Sequence, residues 1–295
     1  MPKSEMEKNR IARILIYCGI FLIFFTIIIF SSGLFSSGEP VGDKLALIEI
    51  PGLIVRSNDV IDDIKRYNED RSVKAIILRI DSPGGVVAPT QEIYRELNKI
   101  EKKVIVSMGS VAASGGYYIA CTADRIFANP GTLTGSIGVI MNFPRLEGLT
   151  KKIGIDREII KSGEFKDSGS PYRNFTPDEK QIYQEMVDDV YDQFLDAVYE
   201  GRKHTNLTRE QIKSIADGRV MSGRQALQYK LVDELGGFED AVNYAAKISG
   251  IKGKPKIIKN RPRTTMLERL IGAKIKNGID DILGNQVSIR YELPF

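Results

Sequence analysis

The chain has 295 residues, 42% of them hydrophobic and 27% charged, with a net charge of +4 and no basic block. That length supports one large domain or two small ones, and the dispersed charge argues against a nucleic-acid partner. The two cysteines, Cys18 and Cys121, lie in an apolar N-terminal run and in the folded part, so no disulfide is expected; no Cys/His cluster has metal-ligand spacing, and no metal or other cofactor is expected.

The N-terminus carries the first local signal. Ile14 to Phe30 holds no charge, and apolar character resumes at Leu34-Phe35. This is close to the length of about 20 residues that crosses a bilayer as a helix. Lys3, Lys8, Arg10 and Arg13 precede the run, and Glu39 and Asp43 follow it. The positive flank predicts an N-terminus in the cytoplasm and a remainder outside it. The run is longer than a usual signal-peptide core, while Ser31-Ser32-Gly33 and Ser36-Ser37-Gly38 are small enough to be cleaved. A single-pass anchor in the cell membrane is the expectation, with a cleaved signal peptide as the alternative. The organisation read from this is a cytoplasmic N-terminus over 1–13, a transmembrane helix over 14–35, a polar linker over 36–43, an extracytoplasmic domain over 44–250 and a basic, amphipathic tail over 251–295.

Lys44 to Ile50 reads as a strand, and Pro51-Gly52 interrupts it. Asn58 or Asp59 caps a helix that runs through Tyr67, with Val60, Ile61, Ile64 and Tyr67 on one face. Val73 to Ile80 is nearly all apolar, as in a strand buried on both faces. The turn Asp81-Ser82-Pro83-Gly84-Gly85 follows, and then a helix from Pro89 to Lys99. Val104 to Met108 is the next strand, and Ser114 opens the next helix. Arg125 to Phe127, Gly138 to Met141 and Ile155 to Lys161 read as further strands, and Ser162 to Asn174 as a polar loop. Thr176-Pro177-Asp178-Glu179 is a helix start, and an apolar stripe (Ile182, Met186, Val190, Phe194, Val198) carries that helix to Arg202. Shorter helices start at Thr208 and Ser222, and Phe238 to Ile248 is helical in pattern. Met266 to Leu283 shows an amphipathic pattern broken by Gly272 and Gly278. The strand–helix alternation argues for an α/β fold with mainly parallel pairing.

Ser114 stands between two alanines and two glycines after a β-branched run. Small neighbours allow close approach to its hydroxyl, and Gly115 and Gly116 leave amides open at a helix start, where an anion or oxyanion can be held. A buried packing turn is the alternative. Turns beyond neighbouring parallel strands lie side by side, which brings Gly84-Gly85 against Ser114. A serine nucleophile needs a base. The sole histidine, His204, stands in a charged segment and reads as a surface residue. No G-x-S-x-G elbow surrounds Ser114, so a lysine base is the economical choice, and Lys166 stands out in its glycine- and serine-rich loop. Asp81, Ser82 and Pro83 read as turn-shaping, and Tyr117 and Tyr118 as packing residues.

D-S-P-G-G at 81–85, A-S-G-G-Y-Y at 113–118, T-G-S-I-G-V at 134–139, S-G-E-F-K-D at 162–167 and D-G-R-V-M-S-G-R-Q-A-L at 217–227, in this order, resemble the signal peptide peptidase A family in its short bacterial form. The resemblance implies a Clp-protease/crotonase-like fold and homo-oligomeric rings whose sites are shared between neighbouring subunits. It implies Ser114 as nucleophile, Lys166 as general base and Ser136 as the hydroxyl that orients the lysine amine. Gly84 or Gly85, with Gly115, would form the oxyanion hole. The implied activity is hydrolysis of extended apolar peptides, signal-peptide remnants among them, beside membrane lipid. A crotonase-fold membrane scaffold, non-catalytic or acting differently, is the alternative. The C-terminal Y-E-L-P-F, extended and partly apolar, is expected to lie in the substrate groove and restrain the enzyme.

Overall fold

The computed structural model describes residues 17, 19–24, 42–259 and 289–292. The chain divides into two units, Met1–Gly42 and Asp43–Phe295. In the first, residues 17 and 19–24 are helical. The rest of the expected transmembrane run lies outside the described residues, as do Cys18 and the Met266–Leu283 pattern. Among the described residues no helix is long and apolar enough to cross a membrane.

The second unit begins with β1 (Lys44–Pro51), α1 (Asn58–Glu69), β2 (Val73–Ser82), β3 (Gly84–Val86) and α2 (Val87–Leu97). It continues through β4 (Lys103–Ala113), α3 (Gly115–Ala120), β5 (Arg125–Ala128), β6 (Leu133–Gly135), β7 (Ile140–Met141) and α4 (Glu147–Lys152). The long α5 (Pro177–Gly201) precedes α6 (Arg209–Ile215), β8 (Val220–Ser222), α7 (Gly223–Gln228), β9 (Glu234–Leu235), α8 (Phe238–Ile248) and β10 (Lys256–Lys259). A last strand, β11 (Ile289–Glu292), closes the described chain.

The main sheet has eight strands, in the order β10-β1-β2-β4-β5-β9, with β6 paired to β4 and β8. Its central pairs are parallel. Alternation along the strands explains their apolar sequences. Ile48, Ile76, Leu78, Val104 and Val106 face one core with α1, α2, α3 and α5, whereas Leu45, Leu47, Ile77 and Ile105 face α8. A parallel strand covered on both faces must be apolar at both parities, and each such side chain contributes about 1.5–3 kcal/mol. A second, small sheet has the order β3-β11-β7.

Several expectations shift. The Asp81–Gly85 turn is mostly strand, because Ile54 donates its N–H to Gly84 O and accepts from Val86 N–H, both at 2.8 Å. β4 runs on to Ala113, since its last residues pair with β6, a strand the sequence pattern had not marked. Ile155 to Lys161 forms no strand: its β-branched residues suit one, but they have no partner to pair with and lie exposed. The basic segment after Gly250 contributes β10, parallel to β1.

The end of α5 is tied down by a buried ion pair. Arg202, fully buried, donates to Asp233 Oδ1 at 2.6 Å and Oδ2 at 3.0 Å, and also to Lys230 O. Asp233 Oδ2 in turn accepts from Ile126 N–H at 2.7 Å. Burial alone would raise the Asp233 pKa, but the Arg202 hydrogen bonds and charge outweigh it and the net direction is down. A depressed carboxyl contributes stability above its unfolded pKa, and that contribution is lost as pH falls through the folded value. Asp233→Ala, which strands a buried guanidinium, is therefore expected to lower the unfolding free energy by about 3–5 kcal/mol near neutral pH. In urea titrations, the gap between variant and wild type should narrow below about pH 4. A gap that persists unchanged in acid would contradict the ionic account.

Candidate active site

Ser114 stands where β4 stops and α3 starts, with φ 53° and ψ −117°. An L-residue at positive φ outside the left-handed helical region carries strain of about 1–3 kcal/mol, and such strain gathers at functional sites. Three contacts hold it. Ser114 N–H donates to Gly135 O at 2.8 Å, and Tyr118 N–H donates to Ser114 O at 2.8 Å. Gly116 packs so closely on β2 that a Cβ there would stand 2.9 Å from Ser82 O. The result is a sharp strand-to-helix elbow without the G-x-S-x-G sequence. The residue is 1% exposed, yet its hydroxyl has no hydrogen-bond partner among the described residues. An orphaned buried hydroxyl costs about 1–3 kcal/mol, so its retention calls for a role.

The β3 glycines differ from one another. Gly84 has φ 113°, and its N–H donates to Ser82 Oγ at 3.1 Å. Gly85 presses on Ile54, whose O would be 2.1 Å from an added Cβ. Because Gly84 O and Val86 N–H turn toward Ile54, strand alternation aims the Gly85 N–H at the opposite edge. Gly115 is the first residue of α3, and first-turn N–H groups lack intrahelical partners. Asp81 and Ser82 shape the backbone, as read from sequence: Asp81 Oδ1 accepts from Val111 N–H at 3.0 Å.

Ser136 is buried at φ 50°, next to the Gly135 that anchors Ser114, and its N–H donates to Arg219 O at 2.8 Å. The structure thus brings Ser114, Ser136 and the glycines to one end of the sheet. It does not bring Lys166 to the Ser114 hydroxyl. Lys166 is exposed in an irregular loop, its N–H donating to Gly163 O at 3.2 Å. That loop is clamped by groups the sequence reading missed. Asp167 accepts from Lys161 Nζ at 2.7 Å and from Arg173 Nε at 2.8 Å. Arg173 also pairs with Glu179, a carboxyl seen in the sequence only as half of the Thr176 capping box. The Arg173 hydrogen bonds hold Asp167 far below the usual carboxylate range and Glu179 at about 2.

Other nucleophile and base candidates fall away. His204 is exposed, with Nε2 at 3.2 Å from Asp233 Oδ1. Burial pushes the Cys121 thiol up to about 12, which leaves it inert. Tyr117 donates to Leu231 O at 2.9 Å, and Tyr118 packs edge-on to Tyr94, so both are core residues. Among the described residues no group of His, Cys, Asp and Glu could hold a metal ion.

The chain matches the Peptidase family S49 over residues 96–252 and the Clp protease family over residues 55–132. A candidate protease of Synechocystis sp. is 44% identical over 212 residues, 70% of this chain and 75% of that protein. A candidate signal peptide peptidase of Enterococcus faecium is 39% identical over 190 residues, 63% of this chain and 54% of that protein. The chloroplast serine protease SPPA of Arabidopsis thaliana is 33% identical over 231 residues, of which this chain covers 34%. The chain therefore spans about half of the Enterococcus protein and a third of the Arabidopsis one. The mixed sheet with its Clp-protease-like fold defines the class, a serine peptidase. Within that class the chain belongs to peptidase family S49.

The strain at Ser114 is measurable. Glycine adopts its backbone angles freely, whereas alanine does not. Ser114→Gly is expected to unfold at a higher free energy than Ser114→Ala by about 1 kcal/mol, the strain relief less the entropic disadvantage of glycine. Equal stabilities in denaturant titrations, or a more stable alanine variant, would show that the elbow is unstrained.

Proposed function

We propose that this chain is a membrane-anchored serine endopeptidase in which Ser114 attacks peptide carbonyls and Lys166 acts as general base. The observation that carries the reading is the strained, buried and unpartnered Ser114 hydroxyl beside amide-rich glycines. A scaffold would have no use for that strain.

Lys166 reaches the site from a neighbouring copy in this reading. An apolar surface surrounds its loop and supports assembly: Leu149, Ile153, Ile155, Ile160 and Phe165 are exposed, Ile160 at 96%. The same holds for Ile182 and Met186, the first half of the α5 stripe, while Phe194 and Val198 are buried. Packing of a second copy over this face would bury both the apolar side chains and the lysine. A lysine acts as base only in its neutral form, which burial favours.

The neutral amine of Lys166 takes the Ser114 proton as Oγ bonds to the carbonyl carbon. Ser136 orients that amine. The Gly85 and Gly115 amides stabilise the oxyanion; Gly84 is the weaker candidate because Ser82 already engages its N–H. Each such donor is worth about 10²–10³ in rate. The leaving amine departs with the proton held by Lys166, and the same lysine then deprotonates the water that hydrolyses the acyl-enzyme. The uncharged run Ile14–Phe30 and its basic flank support anchorage in the cell membrane, with the catalytic unit outside. The name of the Enterococcus relative supports signal-peptide remnants and other extended apolar peptides as substrates.

Detergent-solubilised protein should cleave a signal-peptide substrate, and Ser114→Ala and Lys166→Ala should each lose at least about 10³-fold in kcat/KM. Oligomer size by light scattering should be the same in both variants. Undiminished cleavage by either one sinks the assignment.

A further inference from the structure

The small sheet has an unusual middle strand. β11 comes from the far C-terminal end of the chain, yet it runs antiparallel to β3, with Arg290 opposite Val86, Tyr291 opposite Gly85 and Glu292 opposite Gly84. On its other side it pairs antiparallel with β7, with Ile289 opposite Met141 and Arg290 opposite Ile140. Cα atoms of β11 also lie within 8 Å of α3, the helix that Ser114 opens. β3 and β7 do not pair with each other; both pair with β11. The other edge of β3 is already taken by Ile54. What lies between β3 and β7 is therefore a slot one strand wide, lined on one side by Gly85 and running beside the nucleophile.

Such a slot suits an extended peptide, which adds to exposed strand edges through main-chain hydrogen bonds. We propose that this slot is the substrate groove, and that β11 is a built-in occupant that every substrate must displace. The proposal rests on the peptidase reading of the Ser114 site and names the regulation of that site. β11 holds the register opposite Gly84 and Gly85 that a peptide presenting a carbonyl to the Gly85 amide would take. Being tethered to its own groove, it competes at high effective concentration without high intrinsic affinity. Release of the C-terminal segment, by proteolysis or by docking elsewhere, opens the site.

Two variants dislodge β11 and leave the groove intact. One ends the chain after Ser288. The other, Arg290→Pro, keeps full length; Arg290 pairs on both sides, so proline removes a ladder bond whichever neighbour its N–H faces. If β11 is seated about nine-tenths of the time, both variants should lower KM for an internally quenched signal-peptide substrate about tenfold with kcat unchanged. A synthetic peptide copying residues 285–295 should inhibit the truncated enzyme competitively. Amide hydrogen exchange at 84–86 and 140–141 should quicken in Arg290→Pro. If all forms cleave with one KM and one exchange pattern, the strand proposal is overturned and the peptidase reading stands. If no form cleaves, the peptidase reading fails, and the exchange comparison alone decides whether β11 occupies the slot.

Discussion

The positive φ of Ser114 is the constraint on which the rest of the site depends. A serine does not adopt that angle by preference, so the surroundings must impose it. β4 is extended past the main sheet so that its last residues pair with β6. The chain after β6 turns through Gly135 and Ser136, both at positive φ, and the Gly135 carbonyl clamps the Ser114 amide. Gly116 then lets α3 settle against Ser82 at a distance that no side chain would allow. Each device exists to turn a parallel strand abruptly into a helix whose open amides face the serine. The interior pays for the strain through the two apolar cores on either side of the sheet.

That arrangement prepares half of a reaction. The hydroxyl is dry and unpartnered, and the lysine that would activate it stands exposed on a separate loop. The loop is not loosely held, because Asp167 and Arg173 clamp it to the start of α5. The clamp presents Lys166 outward, amid apolar side chains that a single copy leaves uncovered. Assembly would complete the dyad and cover this face at once, coupling activity to oligomerisation. The C-terminal strand adds a second condition, since the groove beside the serine is already filled by the chain itself. A peptidase working beside a membrane has reason to be inactive until both conditions are met.

Local features were legible in the sequence. The apolar runs of β1 and β2, the capping boxes at Thr176, Thr208 and Ser222, and the bounds of α8 all follow from neighbours within a few residues. Features made by distant pairing were not. Gly84-Gly85 has no strand propensity and becomes a strand because Ile54 lies against it. Ile155 to Lys161 has the propensity and no partner. The Asp167–Arg173–Glu179 clamp leaves no periodic signal. Ser114 could be singled out from its small neighbours, but its backbone angle is set by Gly135. Lys166 was selected by family resemblance, since its sequence context alone barely distinguishes it from other basic residues. The extended, partly apolar C-terminus hinted at a groove, while its register against β3 could come only from the fold.

The central claim is that the nucleophile and its base meet across two copies of the chain. It is tested most directly by mixing. Ser114→Ala and Lys166→Ala proteins, each inactive, are dissociated, combined in equal amounts and allowed to reassemble. Random mixing places an intact Ser114 beside a neighbour's intact Lys166 in about one site in four, so about a quarter of wild-type activity should return. If the mixed oligomers form and stay inactive, the two residues do not act across an interface, and the account is wrong at its centre.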